Sequence, residues 1–174
     1  MRDAEAFDND TDSPAVRRKG GPGVAAVRVR PAEPADSAAI ARLIRRAKAE
    51  AMPWLAKPHT LTEDEWWAAN ILLRDHVVKV AAEDGKSSRV VGVLAVSDGW
   101  VDQLYIAPAA QGRGIGSHLL REAQGAAPGP LQLWTFQRNH RARAFYEGHG
   151  FVAVRETDGD NEENEPDVLY VWRP

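Results

Sequence analysis

The chain has 174 residues, a length that fits one domain able to bury a real core. Its formal charge of −3 provides no global basic field for nucleic acid, and the Lys/Arg clusters are too short to override that. Cysteine is absent from the sequence, which removes disulfides, thiolate zinc sites and a cysteine nucleophile together, and no apolar run reaches membrane-spanning length or forms a signal core.

Residues 1–23 combine acidic residues, an Arg17-Arg18-Lys19 cluster and Gly20-Gly21-Pro22-Gly23 with almost no apolar periodicity, which predicts a disordered or docked tail ahead of a domain over 24–174. Val24 to Val29 reads as a strand. Pro34-Ala35-Asp36 then opens a helix with Ile40, Leu43, Ile44 and Ala47 at helical spacing. Pro53 and Pro58 break that pattern within an aromatic linker that holds Trp54 and His59. Thr62-Glu63-Asp64-Glu65 reads as a capping box entering a helix through Trp66, Trp67, Ile71 and Leu72. Val77 to Ala82 and Val90 to Val96 flank the turn signal Glu83-Asp84-Gly85-Lys86, and Trp100 to Ile106 continues the meander.

Past a glycine-rich turn, Leu119, Leu120 and Ala123 mark the buried side of a helix ending near Gly125, and Leu131 to Phe136 is the next strand. A helix from Asn139 stops at Gly148 to Gly150, as expected for a left-handed cap. Phe151 to Arg155 and Val168 to Trp172 close the chain as a strand pair around an acidic loop. The predicted order, β-α-α-β-β-β-α-β-α-β-β, is that of an α/β fold with a mixed central sheet flanked by helices.

The glycine-rich turn, Gln111-Gly112-Arg113-Gly114-Ile115-Gly116, lies between a strand and a helix. That placement points unpartnered backbone N–H groups and the positive end of a helix dipole at one spot, where an anion can sit. A nucleotide-triphosphate loop would need a lysine that the turn lacks, and the G-x-G-x-G spacing is not the dinucleotide fingerprint. A helix-capping turn without a ligand is the bland alternative.

The run from Val101 to Gly116 resembles the acyl-CoA-binding motif of the GNAT superfamily of N-acyltransferases, L-Y-V-x-P-x-x-Q/R-x-x-G-x-G/A, with Leu104, Tyr105, Ile106, Pro108, Gln111, Gly114 and Gly116 in register. A second block, Asn139 to Phe151, resembles the family's N-x-x-A-x-x-F-Y-x-x-x-G-F helix and following strand. The resemblance implies acetyl-CoA as co-substrate and no metal. It places the pantetheine arm along the edge of Leu104, Tyr105 and Ile106, as in β-augmentation. It sets the pyrophosphate on the amides of Gly112, Arg113, Gly114, Ile115, Gly116 and Ser117, with Arg113 adding a charge-assisted bond. Asn139 is then expected to contact pantetheine, and Tyr146 to protonate or hydrogen-bond the coenzyme A sulfur.

Acetyl transfer also needs the amine deprotonated. Many ribosomal-protein acetyltransferases of the family carry a glutamate five residues before the asparagine, but here that position is Trp134. Glu63, Glu65, Asp102, His59 or a water chain to bulk solvent could serve instead, with the water chain preferred. The linker region forms part of the family's acceptor pocket, so the resemblance makes Trp54 and His59 candidates for substrate contact, against the alternative of a packing role for Trp54 and a solvated loop position for His59. Asp160, Glu162, Glu163 and Glu165 either attract a cationic amine or are merely solvated.

The sequence thus reads as an N-acetyltransferase acting on a primary amine of a small molecule or peptide. A non-catalytic acyl-CoA sensor, or an acyltransferase using a longer acyl group, is the alternative. Expected partners are acetyl-CoA and the amine acceptor, with no nucleic acid, no membrane and a homodimer left open; a cytoplasmic location is the default.

Overall fold

Ile40, Leu43, Ile44 and Ala47 recur at helical spacing because they are the buried stripe of α1 (Ser37–Ala51), which follows strand β1 (Val27–Pro31) and a 3-10 turn at Pro34–Asp36. The computed structural model describes residues 26–56, 58–84 and 89–174. The tail expected over residues 1–23 and part of the turn signal at Gly85-Lys86 lie outside the described residues. The first strand starts at Val27 and extends to Pro31, later than the predicted Val24 to Val29.

The next helix is capped by Thr60 rather than Thr62. Both threonines have a glutamate three residues on, but Thr60 Oγ1 accepts from the Glu63 N–H while Glu63 reaches back to the Thr60 N–H. Starting there lets Asp64 and Glu65 pair with Arg45 and Arg42 of α1. Helix α2 (Leu61–Trp67) runs on through a π-helical stretch, Ala68–Leu72, into the short α3 (Leu73–Asp75).

The seven strands form one sheet in the order β1-β2-β3-β4-β5-β7-β6, the remaining six being β2 (Val77–Glu83), β3 (Arg89–Ser97), β4 (Trp100–Ile106), β5 (Leu131–Phe136), β6 (Val152–Thr157) and β7 (Asp167–Trp172). All neighbours are antiparallel except β4 and β5. On one face α1 packs Ile40, Leu43 and Ile44 against Val78, Val80, Val93 and Ala95. On the other, α4 (Ile115–Ala126) packs Leu119 and Leu120 against Val91, Leu94 and Leu133, with Tyr170 and Phe151 in the same cluster.

Helix α4 ends at Ala126, next to Gly125 as expected, and holds both Gly116 and Gly125. Two interior glycines cost about 1 kcal/mol each. Fully burying Leu119 and Leu120 returns about 1.5–3 kcal/mol apiece, so packing outweighs propensity. At the end of α5 (His140–Glu147), Gly148 stays right-handed and Gly150, at φ +83°, makes the left-handed exit.

Gly92 sets how closely α4 approaches the sheet. A Cβ there would lie 3.0–3.1 Å from Ile106 Cδ1, Ala81 Cβ and Leu119 Cδ1. The same segment carries a bulge: Ala81 faces Gly92 and Ala82 faces Val90, leaving Val91 as an extra residue that joins Leu94 on the α4 side.

The entry to α1 is fastened by Arg30, whose guanidinium donates to both Asp36 oxygens at 2.7 and 2.9 Å, while Asp36 also accepts from the Glu33 N–H. The hydrogen bonds from Arg30 are the main cause that holds the Asp36 carboxyl below its ordinary range. A depressed acid stabilises the fold above its unfolded pKa and loses that contribution as pH falls through the folded value. Asp36→Asn is therefore expected to cost about 1–3 kcal/mol at pH 7. The gap to wild type should narrow below about pH 4 in denaturant titrations; a pH-independent gap would refute the pairing argument.

Candidate active site

Strands β4 and β5 run parallel but share a single register pair, Trp100 with Gln132, anchored by the Gln132 N–H donating to Gly99 O at 2.8 Å. Beyond it they part. One side of β4 stays in register with β3, while its other side from about Asp102 onward faces a cleft of about 550 Å³ between the two strands. Backbone N–H and C=O groups along such an opening still need partners. An amide-rich chain laid along β4 would supply them.

The glycine turn closes the far end. Gly112 and Gly114 adopt φ +75° and +80°, conformations that favour glycine, and a Cβ on either would meet nothing within 4 Å. Gly114 is the N-cap of α4, and its carbonyl accepts from the His118 N–H at 3.0 Å. The preceding amides of Ile115, Gly116 and Ser117 sit at the positive end of the helix, and all three residues line the cleft.

Leu104, Tyr105, Ile106, Gln111, Gly112, Gly114, Ile115, Gly116, Ser117, Asn139 and Tyr146 all line this cleft. Gln111 donates through Nε2 to Ile106 O, at 3.2 Å. Asn139 is the N-cap of α5, its Oδ1 accepting from the Ala142 N–H at 3.1 Å, which leaves its Nδ2 for the cleft. Arg113 is the exception. Its guanidinium is 2.6 Å from Glu83 at the end of β2, and it is not part of the cleft wall. Arg141 of α5 lines the cleft instead.

Tyr146 is half-buried in the wall, edge-on to Phe145 and to Phe151 with centroids at 5.3 and 5.7 Å. Its hydroxyl has no hydrogen-bond partner among the described residues. Tyr170 makes the contrast: fully buried, it donates to Glu147 Oε1 at 2.6 Å and accepts from Arg143 Nε at 3.2 Å. Tyr170 is a satisfied core tyrosine that ties α5 to β7, and α5 in turn presents Tyr146. Burial pushes the Tyr146 phenol above its ordinary value, so the hydroxyl keeps its proton at neutral pH.

Of the acids considered as base, Asp102 alone lines the cleft. Glu63 is held in the Thr60 cap, whose backbone N–H lowers its pKa, Glu65 pairs with Arg42, and His59 is an exposed linker residue whose carbonyl accepts from Arg45. Asp102 is also the extra residue of a bulge, since Val101 faces Val96 and Gln103 faces Ala95.

Trp54 does not line the cleft. Its ring lies under the Arg138 guanidinium at 4.7 Å, and Arg138 pairs with Glu165, so three loops are fastened in one chain of contacts. Trp134 occupies the wall between the cleft and a second recess of about 540 Å³, with the Arg155 guanidinium 4.9 Å over its ring. Asp160, Glu163 and Asp167 line that recess; Glu162 and Glu165 do not, and Asp167 is engaged by Thr157 and Asn161. Among the described residues no group of three or more His, Asp or Glu side chains is placed to hold a metal ion, and no helix is long and apolar enough to cross a membrane.

Residues 39–151 match the model of the acetyltransferase (GNAT) family. The chain belongs to that family. It is 31% identical over 127 residues to the peptidyl-lysine N-acetyltransferase YiaC of Escherichia coli K12, covering 64% of this chain and 84% of YiaC. The fold is that of E. coli YjaB in its apo form, at a TM-score of 0.68, 22% identity and coverage of 84% and 97%. The PaiA N-acetyltransferase of Thermoplasma acidophilum, solved with coenzyme A, superposes at a TM-score of 0.64, with 16% identity and coverage of 85% and 99%.

A carboxylate placed in the glycine turn opposes an anionic ligand. Saturating acetyl-CoA is expected to raise the melting temperature, a stabilisation of about 2.7 kcal/mol at a hundred times Kd, and Gly114→Asp is expected to remove that rise. An unchanged shift in a variant that folds like wild type would show that the turn is not the phosphate cradle.

Proposed function

We propose that this GNAT acetyltransferase transfers the acetyl group of acetyl-CoA to a primary amine of a small molecule or peptide by direct attack. The observation that carries the reading is the partnerless, half-buried Tyr146 hydroxyl in the cleft where β4 and β5 part. A satisfied core tyrosine would look like Tyr170.

In this reading the β4 edge from Leu104 to Ile106 and the Asn139 amide hold the pantetheine arm, while the amides of the turn and the start of α4 hold the pyrophosphate. Arg113 contributes there through its backbone, because Glu83 engages its guanidinium. Asp102 accepts a proton from the incoming ammonium. The freed amine attacks the thioester carbonyl, an N–C bond forms and the C–S bond breaks, Tyr146 donates its proton to the departing thiolate, and the second proton, shed by the nitrogen as the amide forms, passes through solvent and restores the phenol. Asp102 supplies the base that Trp134 cannot, which favours turnover over a sensor role.

The recess beside Trp134 supports a cationic acceptor. It shares Trp134, Thr135 and Phe136 with the cleft and presents Asp160 and Glu163. An ammonium approaching from that side is attracted before it is deprotonated. YiaC, a peptidyl-lysine N-acetyltransferase, supports a lysine-like amine among the acceptors.

A panel of amines assayed for free thiol release from acetyl-CoA identifies the acceptor. With the fastest amine, Tyr146→Phe is expected to lower kcat at least about tenfold, within the range for general acids, while acetyl-CoA affinity changes little. Unchanged kcat under conditions where chemistry limits the rate would remove Tyr146 from the mechanism.

A further inference from the structure

Two neighbours from outside β4 meet the Asp102 carboxylate on the same oxygen. Ser97 Oγ, at the end of β3, donates to Oδ2 at 2.7 Å, and His76 Nε2, just before β2, lies 3.5 Å from that same Oδ2. Oδ1 has no partner among the described residues. We propose that His76 and Ser97 are positioning residues, which fix Asp102 through Oδ2 and leave Oδ1 directed at the amine proton; this rests on Asp102 as the base.

Asp102 needs such support because of where it sits. As the extra residue of the β4 bulge it has no cross-strand partner on β3, and its side chain is 34% exposed at the cleft. A free carboxylate there would sample several rotamers, and misplacement of a base costs rate even when its chemistry is intact.

His76 has the properties of a support. Its side chain is only 16% exposed, and its backbone N–H donates to Leu72 O at 3.2 Å, which anchors it to the end of the helical segment. Nδ1 is buried and has no hydrogen-bond partner among the described residues. Among the described residues, the ring's one polar contact is therefore Asp102. With no acceptor at Nδ1, the favoured neutral tautomer carries its proton on Nε2, facing the carboxylate. A histidine kept only for packing would not spend its single exposed nitrogen on the one cleft acid. The 3.5 Å separation is long for a hydrogen bond, and the positioning role requires it to shorten when substrate fills the cleft.

The test uses the full chain, acetyl-CoA and the fastest amine of the panel. Asp102→Asn is expected to lower kcat about a hundredfold or more, as loss of a general base does. His76→Leu should lower kcat about tenfold with both KM values within about twofold, and His76→Gln, whose amide keeps an N–H donor, should recover to within about threefold of wild type. Ser97→Ala, a minimal change at a small side chain, should fall several-fold in kcat alone and provides the same reading should His76→Leu fail to fold.

Wild-type kcat in both His76→Leu and Ser97→Ala would overturn the positioning role. So would His76→Gln as slow as His76→Leu at equal melting temperature, because packing would then explain the loss. Full activity in Asp102→Asn would overturn the base on which the inference rests, while wild-type thiol release stays intact. No thiol release from the wild type with any amine would instead overturn the acetyl-transfer reading itself.

Discussion

In a sheet, an interior strand satisfies its backbone on both sides. Here β4 does so beside β3 but has β5 for one register pair only, after which the strands diverge. An opened ladder inside a fold leaves polar backbone groups without their usual partners, a cost that a protein keeps only when something else engages them. The position of the glycine turn, the orientation of α5 and the reach of the loops around the cleft all follow from that separation.

Several contacts hold the two halves apart in a defined way. On the β4 side, Gly92 lets α4 settle close to the sheet, so the start of α4 sits directly over the end of β4. On the β5 side, the Arg143–Tyr170–Glu147 contacts tie α5 to β7, and that fixes the direction of Tyr146. The Trp54–Arg138–Glu165 contacts join the α1–α2 linker, the β5–α5 loop and the β6–β7 loop around the opening. The Arg113–Glu83 pair fastens the glycine turn to β2. Charges that look like ligands along the chain are spent in this way on geometry, and the cleft wall keeps Asn139, Arg141, Asp102 and Tyr146 among its polar side chains.

The order of elements was legible because each one carries its own pattern: Ile40, Leu43, Ile44 and Ala47 at helical spacing for α1, and short apolar runs bounded by turn signals for strands such as β2 and β3. The glycine turn and the Asn139 to Phe151 block were legible because their chemistry is local. What escaped depends on partners far along the chain. Nothing near Arg113 announces Glu83, thirty residues away. Nothing near Trp54 announces Arg138. Thr60 and Thr62 offer the same spacing, and only the fit of Asp64 and Glu65 to α1 chooses between them. The bulges at Val91 and Asp102 arise from register between strands, which periodicity within one strand does not encode. His76 belongs to no motif, and its place beside Asp102 exists only once β2, β3 and β4 are aligned.

We propose that acetyl-CoA is held on the open edge of β4 and the amides of the glycine turn. Backbone amide hydrogen exchange, followed residue by residue with and without saturating acetyl-CoA, tests it most directly. Exchange should slow only at 102–107 and 112–117, with the amides of β1 and β2 unchanged. Binding that leaves both of those segments unprotected would contradict it.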